Sequence, residues 1–214
     1  MSEVLEITWR SLYVSGLATL LAAVLGLPLG LWLGARGGGR LGRLWSSLLY
    51  AGMGLPPVVV GLFFYFLLSR SGPLGGLGLL YTVPAVVVAE SVLAFPLVAG
   101  FTMAGVAARA EPVRRLVRSL GGSELQALLT LLAESRRVIV AALAAGFGAV
   151  ISEVGAVTIV GGDIRHATRV LTTAVVLEAR KGELERAAVL GLVLLGLTLV
   201  VSAVLVVLGE GERG

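Results

Sequence analysis

The chain of 214 residues has no cysteine, one histidine (His166) and one lysine (Lys181). Without thiols, disulfides, iron–sulfur clusters and thiolate zinc sites are excluded, and redox compartment leaves no mark. The lone lysine stands in ARKGEL, so no glycine-rich loop ending in Gly-Lys-Ser/Thr is present to cradle nucleotide phosphates. Charge is scarce too: 14% of residues are charged, 57% are hydrophobic, and mean hydropathy is +0.98. That leaves too little polar surface to clothe a water-soluble globule, so the chain reads as a membrane protein. Its formal charge of +4 bears on topology and not on nucleic acid, which is not an expected partner.

Five stretches have the ~20 apolar residues that a bilayer crossing takes. They are Leu12–Leu33, Leu44–Leu68, Tyr81–Ala108, Val138–Val160 and Ala187–Leu208, and the expected fold is an all-α polytopic domain covering 1–214. The run Val170–Leu177 ends at Glu178 and is too short, so it reads as a re-entrant or surface helix. The opening MSEVLEITWR is acidic before Arg10 and the apolar stretch after it is long for a secretory signal, so the first span is expected to be retained. Trp9 and Tyr13 at one end of that span and Trp32 at the other suit the two headgroup layers.

Two connections carry arginine well in excess of acid, while the fourth balances Arg165, Arg169, Arg180, Lys181 and Arg186 in part with Asp163, Glu178, Glu183 and Glu185. The first holds Arg36, Arg40 and Arg43; the third holds Arg109, Arg114, Arg115, Arg118, Arg136 and Arg137. The positive-inside rule places both in the cytoplasm, with the N-terminus outside and the C-terminus inside. The fourth connection, outside in this scheme, is longer and of mixed sign. Within the spans lie Pro28, Pro56–Pro57, Pro84 and Pro96, each removing a backbone donor. Gly26, Gly30 and Gly34 repeat at small-xxx-small spacing, as do Ala142, Ala145 or Gly146, and Ala149 on the fourth span, and such stripes let helices approach closely in lipid.

The third connection, about 109–137, has a helical pattern of its own: Leu116, Leu120, Leu125, Leu128, Leu129 and Leu132. Glu111–Pro112 offers a helix start, Gly121–Gly122 a stop, and Ser123 with Glu124 a second start. Two short helices joined at glycine are expected there.

The sequence RLVRSLGGS resembles the EAA loop of the transmembrane subunits of ABC importers, with Arg115, Leu116 and Val117 at the EAA positions and Gly121 at the glycine. Arg115 replaces the acidic residue of that pattern, and the proline expected further on is absent. The segments GLPPVVVGLFFYFLLSRSGPLG (54–75) and ISEVGAVTIVGGDIRHATRVLTTAVVLEARKGELERA (151–187) are similar to the permease subunits of tungstate-type ABC importers, with molybdate permeases as near relatives. The resemblance implies an ABC type I importer-like fold of five transmembrane helices with short cytoplasmic coupling helices. It also implies a homodimer, separate cytoplasmic ATPase subunits that hydrolyse ATP, and an extracytoplasmic oxyanion-binding protein. The setting is a bacterial or archaeal plasma membrane. The chain itself is expected to bind no cofactor and no metal and to be no enzyme. The coupling surface is then Arg115, Leu116, Val117, Arg118, Leu120 and Gly121.

Two carboxylates, Glu90 and Glu153, fall inside spans, where ionised groups are costly and functional by default. A bare carboxylate repels an anionic cargo, so structural roles are expected for both. Arg165, Arg169, Thr172 and Thr173 in the outer connection offer planar donors and hydroxyls suited to an oxyanion, and docking on the binding protein explains the same charges equally well. His166, without a second ligand, reads as a surface polar contact. The alternative function is an ion-coupled secondary transporter that uses Glu90 and Glu153. A membrane enzyme is disfavoured, since no Ser/His/Asp set or metal-spaced cluster is present.

Overall fold

A computed structural model of the protein describes residues 2–36 and 39–210, which form helices joined by short turns. The two long rods, α1 (Ser2–Arg36) and α4 (Val83–Ser119), pack side by side. The glycine stripe is where they meet: a Cβ on Gly34 would stand 2.7 Å from the carbonyl oxygen of Met103, and one on Gly26 would stand 3.2 Å from the amide of Ala99. Helices in lipid gain no water-driven attraction, so this close backbone contact supplies the packing energy. Val14 and Ala18 of α1 meet Val86 and Val87 of α4 towards one end, and Ala22 meets Ala94 and Val98 further along.

The second and fourth apolar stretches are each bent at a break. The second divides into α2 (Arg40–Met53) and α3 (Pro57–Leu68), whose axes differ by 97°. Pro56 and Pro57 cause the break, because neither has an N–H to continue α2, while Pro57 suits the first position of α3. The fourth divides into α6 (Arg136–Ile151) and α7 (Gly155–Gly161), bent by 59°. No proline is responsible here. The Ser152 hydroxyl donates back to the carbonyls of Gly148 (2.8 Å) and Ala149 (3.0 Å), and the Glu153 carboxylate accepts the Ala156 amide (3.1 Å), ending one helix and starting the next. The two breaks are neighbours, since a Cβ on Gly155 would touch Val58.

The short apolar run is α8 (Leu171–Arg180), seated through Leu171 and Ala174 against Ile7 of α1 and Leu190 of α9 (Leu184–Glu210). Among the described residues, α1, α4 and α9 are long and apolar enough to cross a membrane, and up to five crossings result if each bent pair is one span. Only 6% of the apolar stretch of α9 is buried, against 61% for α4. The molecule has two ends. Glu3 and Arg165 meet at one, and Ala35, Val106, Ala110 and Leu131 cluster at the other.

Candidate functional site

At the Arg36 end, α4 does not stop where the apolar stretch stops. It continues through Glu111 and Pro112 to Ser119, so the helix start expected at Glu111–Pro112 is absent and the first of the two short helices is the tip of α4. Proline forfeits one hydrogen bond in mid-helix, but the flanks hold. Arg109 donates to the Gly105 carbonyl (2.9 Å), Arg115 pairs with Glu111 (3.1 Å), and Ala110 is buried against α1 and α5 (Glu124–Glu134).

The expected stop is where the sequence puts it. Gly121 has φ +78°, a left-handed conformation that favours glycine. The Gly122 amide donates to the Val117 carbonyl (2.8 Å) and the Gly121 amide to that of Arg118 (3.0 Å), the paired bonds of a Schellman closure. Ser123 then caps α5: its hydroxyl accepts from the Gln126 amide (3.3 Å), and the Gln126 side chain accepts from the Ser123 amide (2.7 Å). Sequence reading anticipated Ser123 and missed its partner Gln126, although the S-x-x-Q spacing signals it. Glu124 ties the two helices together through Arg114 (2.9 Å) and Arg118 (3.1 Å). These guanidinium groups, Arg118 foremost, hold the Glu124 carboxyl below its ordinary range. The outcome is a hydrogen-bonded corner that presents Leu116 (58% exposed) and Leu120 (78% exposed).

In the middle of the molecule Glu90 is buried on α4, facing Ser15 of α1 and within electrostatic reach of Glu153. Its Oε2 has no hydrogen-bond partner among the described residues. Glu153 lies in the break between α6 and α7, where its carboxylate caps α7 and its carbonyl accepts the Thr172 hydroxyl (2.7 Å). Ser11, Ser15 and Thr19 are buried along α1 at four-residue spacing, a polar stripe that sequence reading passed over. Ser11 receives the amide of Leu171 at the head of α8 (2.8 Å).

At the Glu3 end the four candidate anion contacts are committed to partners within the chain. Arg165 makes two hydrogen bonds to Glu3 (2.8 and 2.9 Å), and Arg169 pairs with Asp163 (3.0 Å). Thr172 is bonded to the Glu153 carbonyl (2.7 Å), and Thr173 accepts the Val170 amide (3.1 Å). Of the four, Arg165 alone keeps its charged group open to solvent. Asp163 and His166 hold left-handed backbone conformations in this loop, and His166 lies 3.0 Å from Glu6. A cavity of about 460 Å³ beside the loop gathers Arg169 and Arg186 with Glu3, Glu178 and Glu185. Three carboxylates against two guanidinium groups make this cavity a poor match for a dianion.

The corner after a long helix, the two broken helices side by side and the short α8 belong to an ABC type I importer permease fold. A chain of the MetNI methionine ABC transporter, solved in inward-facing conformations, superposes with a TM-score of 0.75 at 18% identity, covering 98% of this chain and 97% of that one. The chain belongs to the family described as binding-protein-dependent transport system inner membrane component, whose profile matches residues 26–211. It is 39% identical over 208 residues to the tungstate uptake system permease protein TupB of Peptoclostridium acidaminophilum, covering 97% of this chain and 91% of that protein. It is 42% identical over 209 residues to a probable anion ABC transporter permease protein of Haloferax volcanii, covering 95% and 89%. Family membership makes it a multi-pass membrane transport component with ATPase and binding-protein partners in general.

Proposed function

We propose that two copies of this chain form the pathway of an ATP-driven oxyanion importer whose cargo is tungstate or molybdate. The observation that carries the cargo reading is the likeness to the Peptoclostridium tungstate permease along 97% of the chain. With each bent pair counted as one crossing, the positive-inside rule supports a Glu3 end outside and an Arg36 end in the cytoplasm. An external binding protein then meets the Arg165 loop, and ATPase subunits meet the corner at Arg115, Leu116, Val117, Arg118, Leu120 and Gly121. ATP is hydrolysed by those subunits, and this chain binds no cofactor. The corner supports this reading, because Leu116 lies on α4 and Leu120 caps it, and the same helix runs through the buried centre of the fold. Glu90 and Glu153 serve the packing of the broken helices.

The test is tungstate uptake by proteoliposomes that hold the permease, its ATPase and the binding protein. Gly121→Val strains the left-handed residue by roughly 1–2 kcal/mol, and we expect ATP hydrolysis to continue while uptake falls. Unchanged uptake removes the coupling assignment. Uptake that persists without the ATPase and collapses with the proton gradient overturns the reading in favour of an ion-coupled carrier.

A further inference from the structure

A groove of about 640 Å³ lies between the end of α1, the far part of α4 and α5, which is within the size range of ligand pockets. Its walls are apolar: Leu31 and Trp32 on α1, and Leu125, Leu128 and Leu132 on α5. The three α5 leucines stay 42–66% exposed, while Leu131, at the floor of the same groove, and Ala127 are buried. Its mouth is cationic. Arg36 and Arg114 line it, and the Arg36 guanidinium is held 4.9 Å over the Trp32 ring with no carboxylate partner among the described residues. Glu124 also lines the groove and is shared by Arg114 and Arg118, so two guanidinium groups hold one carboxylate and Arg36 adds a further positive charge at the mouth.

We propose that this groove holds an acyl chain of an anionic phospholipid, with the lipid phosphate at Arg36 and Arg114. Two observations select lipid over a protein segment. First, Leu21, Leu25 and Trp32 follow one another on a single exposed face of α1, so the surface of the crossing that faces the acyl chains runs without interruption into the groove. Second, the groove opens beside a tryptophan and a set of arginines, the pairing that marks the headgroup layer, and basic pockets between crossings at that depth suit acidic headgroups. An apolar slot below a cationic mouth matches the two halves of such a lipid. The inference rests on the membrane placement that family membership supplies and not on the cargo, so a carrier of another anion leaves it standing.

The experiment reconstitutes the complete permease–ATPase complex into nanodiscs of equal phosphatidylglycerol and phosphatidylcholine, extracts it gently, and counts retained lipids by native mass spectrometry. Phosphatidylglycerol is expected to be retained in preference to phosphatidylcholine. Arg36→Gln, which breaks no ion pair, is expected to reduce that preference several-fold, since a cation near an anionic headgroup is worth ~1 kcal/mol. Arg36→Lys is expected to keep most of it. Leu128→Gln in the groove should lower retention, whereas Leu129→Gln, exposed but outside the groove, should not. Equal retention of the two lipids overturns the proposal, as does a preference that survives Arg36→Gln. Retention by the permease alone that vanishes in the complete complex also overturns it, by assigning the groove to a protein partner.

Discussion

Gly30 of α1 lies so close to Ala99 of α4 that a Cβ on it would stand 2.5 Å from the Ala99 carbonyl oxygen. That atom is backbone in the centre of a buried helix and has nowhere to retreat. Gly16 on the same helix has nothing within 4 Å of the equivalent position.

Gly30→Ala is therefore expected to destabilise the protein by about 1–3 kcal/mol through overpacking. Gly16→Ala is expected to be neutral, or stabilising by up to ~1 kcal/mol, because alanine is the better helix former. Thermal melting of the two variants in the same detergent checks the contrast.

Ser123 and Gln126 exchange hydrogen bonds at the start of α5. Ser123→Ala is expected to weaken that helix by ~1 kcal/mol. Amide hydrogen exchange should rise in residues 124–127 and stay unchanged in α4, which has its own closure at Gly121.

The corner should also respond to acid. The Glu124 carboxyl is held below its ordinary value of 4.5 by Arg118 and Arg114, so its contribution is full above that value and lost as pH falls through the lowered one. Lowering the pH through this window should speed proteolysis or exchange around residues 120–126. Glu124→Gln should show the faster exchange at neutral pH and little further change with acid. High salt should weaken the effect, since the pairs are exposed.

Glu90 occupies side-chain volume at the crowded centre of α4, with one carboxyl oxygen unpartnered. Glu90→Gln keeps the shape and should leave melting temperature and uptake close to the parent. Glu90→Ala opens a cavity and should cost about 2–5 kcal/mol, as large-to-small core changes do. If Glu90→Gln folds normally but abolishes uptake, the packing role assigned to this residue is wrong.

The apolar stretches, the stop at Gly121–Gly122, the cap at Ser123 and the glycine stripe on α1 were all legible, because each rests on local rules of hydropathy, backbone conformation or residue size. The bends were not. Pro56–Pro57 signalled a disturbance but not its 97° angle, which depends on what α3 packs against. The break at 152–154 has no proline, and its cue was a polar Ser152–Glu153 pair in an apolar run. Pro112 misled in the opposite direction: a proline that usually starts a helix was carried inside one by Ala110 and Arg115 and their partners. The donors of Arg165 and Arg169 were visible, as was Asp163 among the balancing acids six residues from Arg169, but Glu3 was not, because it lies 162 residues away from Arg165 along the chain.

The unbroken course of α4 from Val83 to Ser119 has a mechanical consequence. At ~1.5 Å per residue, 37 residues make a rod of roughly 55 Å. Pro96 and Pro112 each remove one backbone hydrogen bond, yet the helix runs through both without ending. If the corner is the handle proposed above, we expect a tilt imposed at that tip to reach the buried half of the same rod.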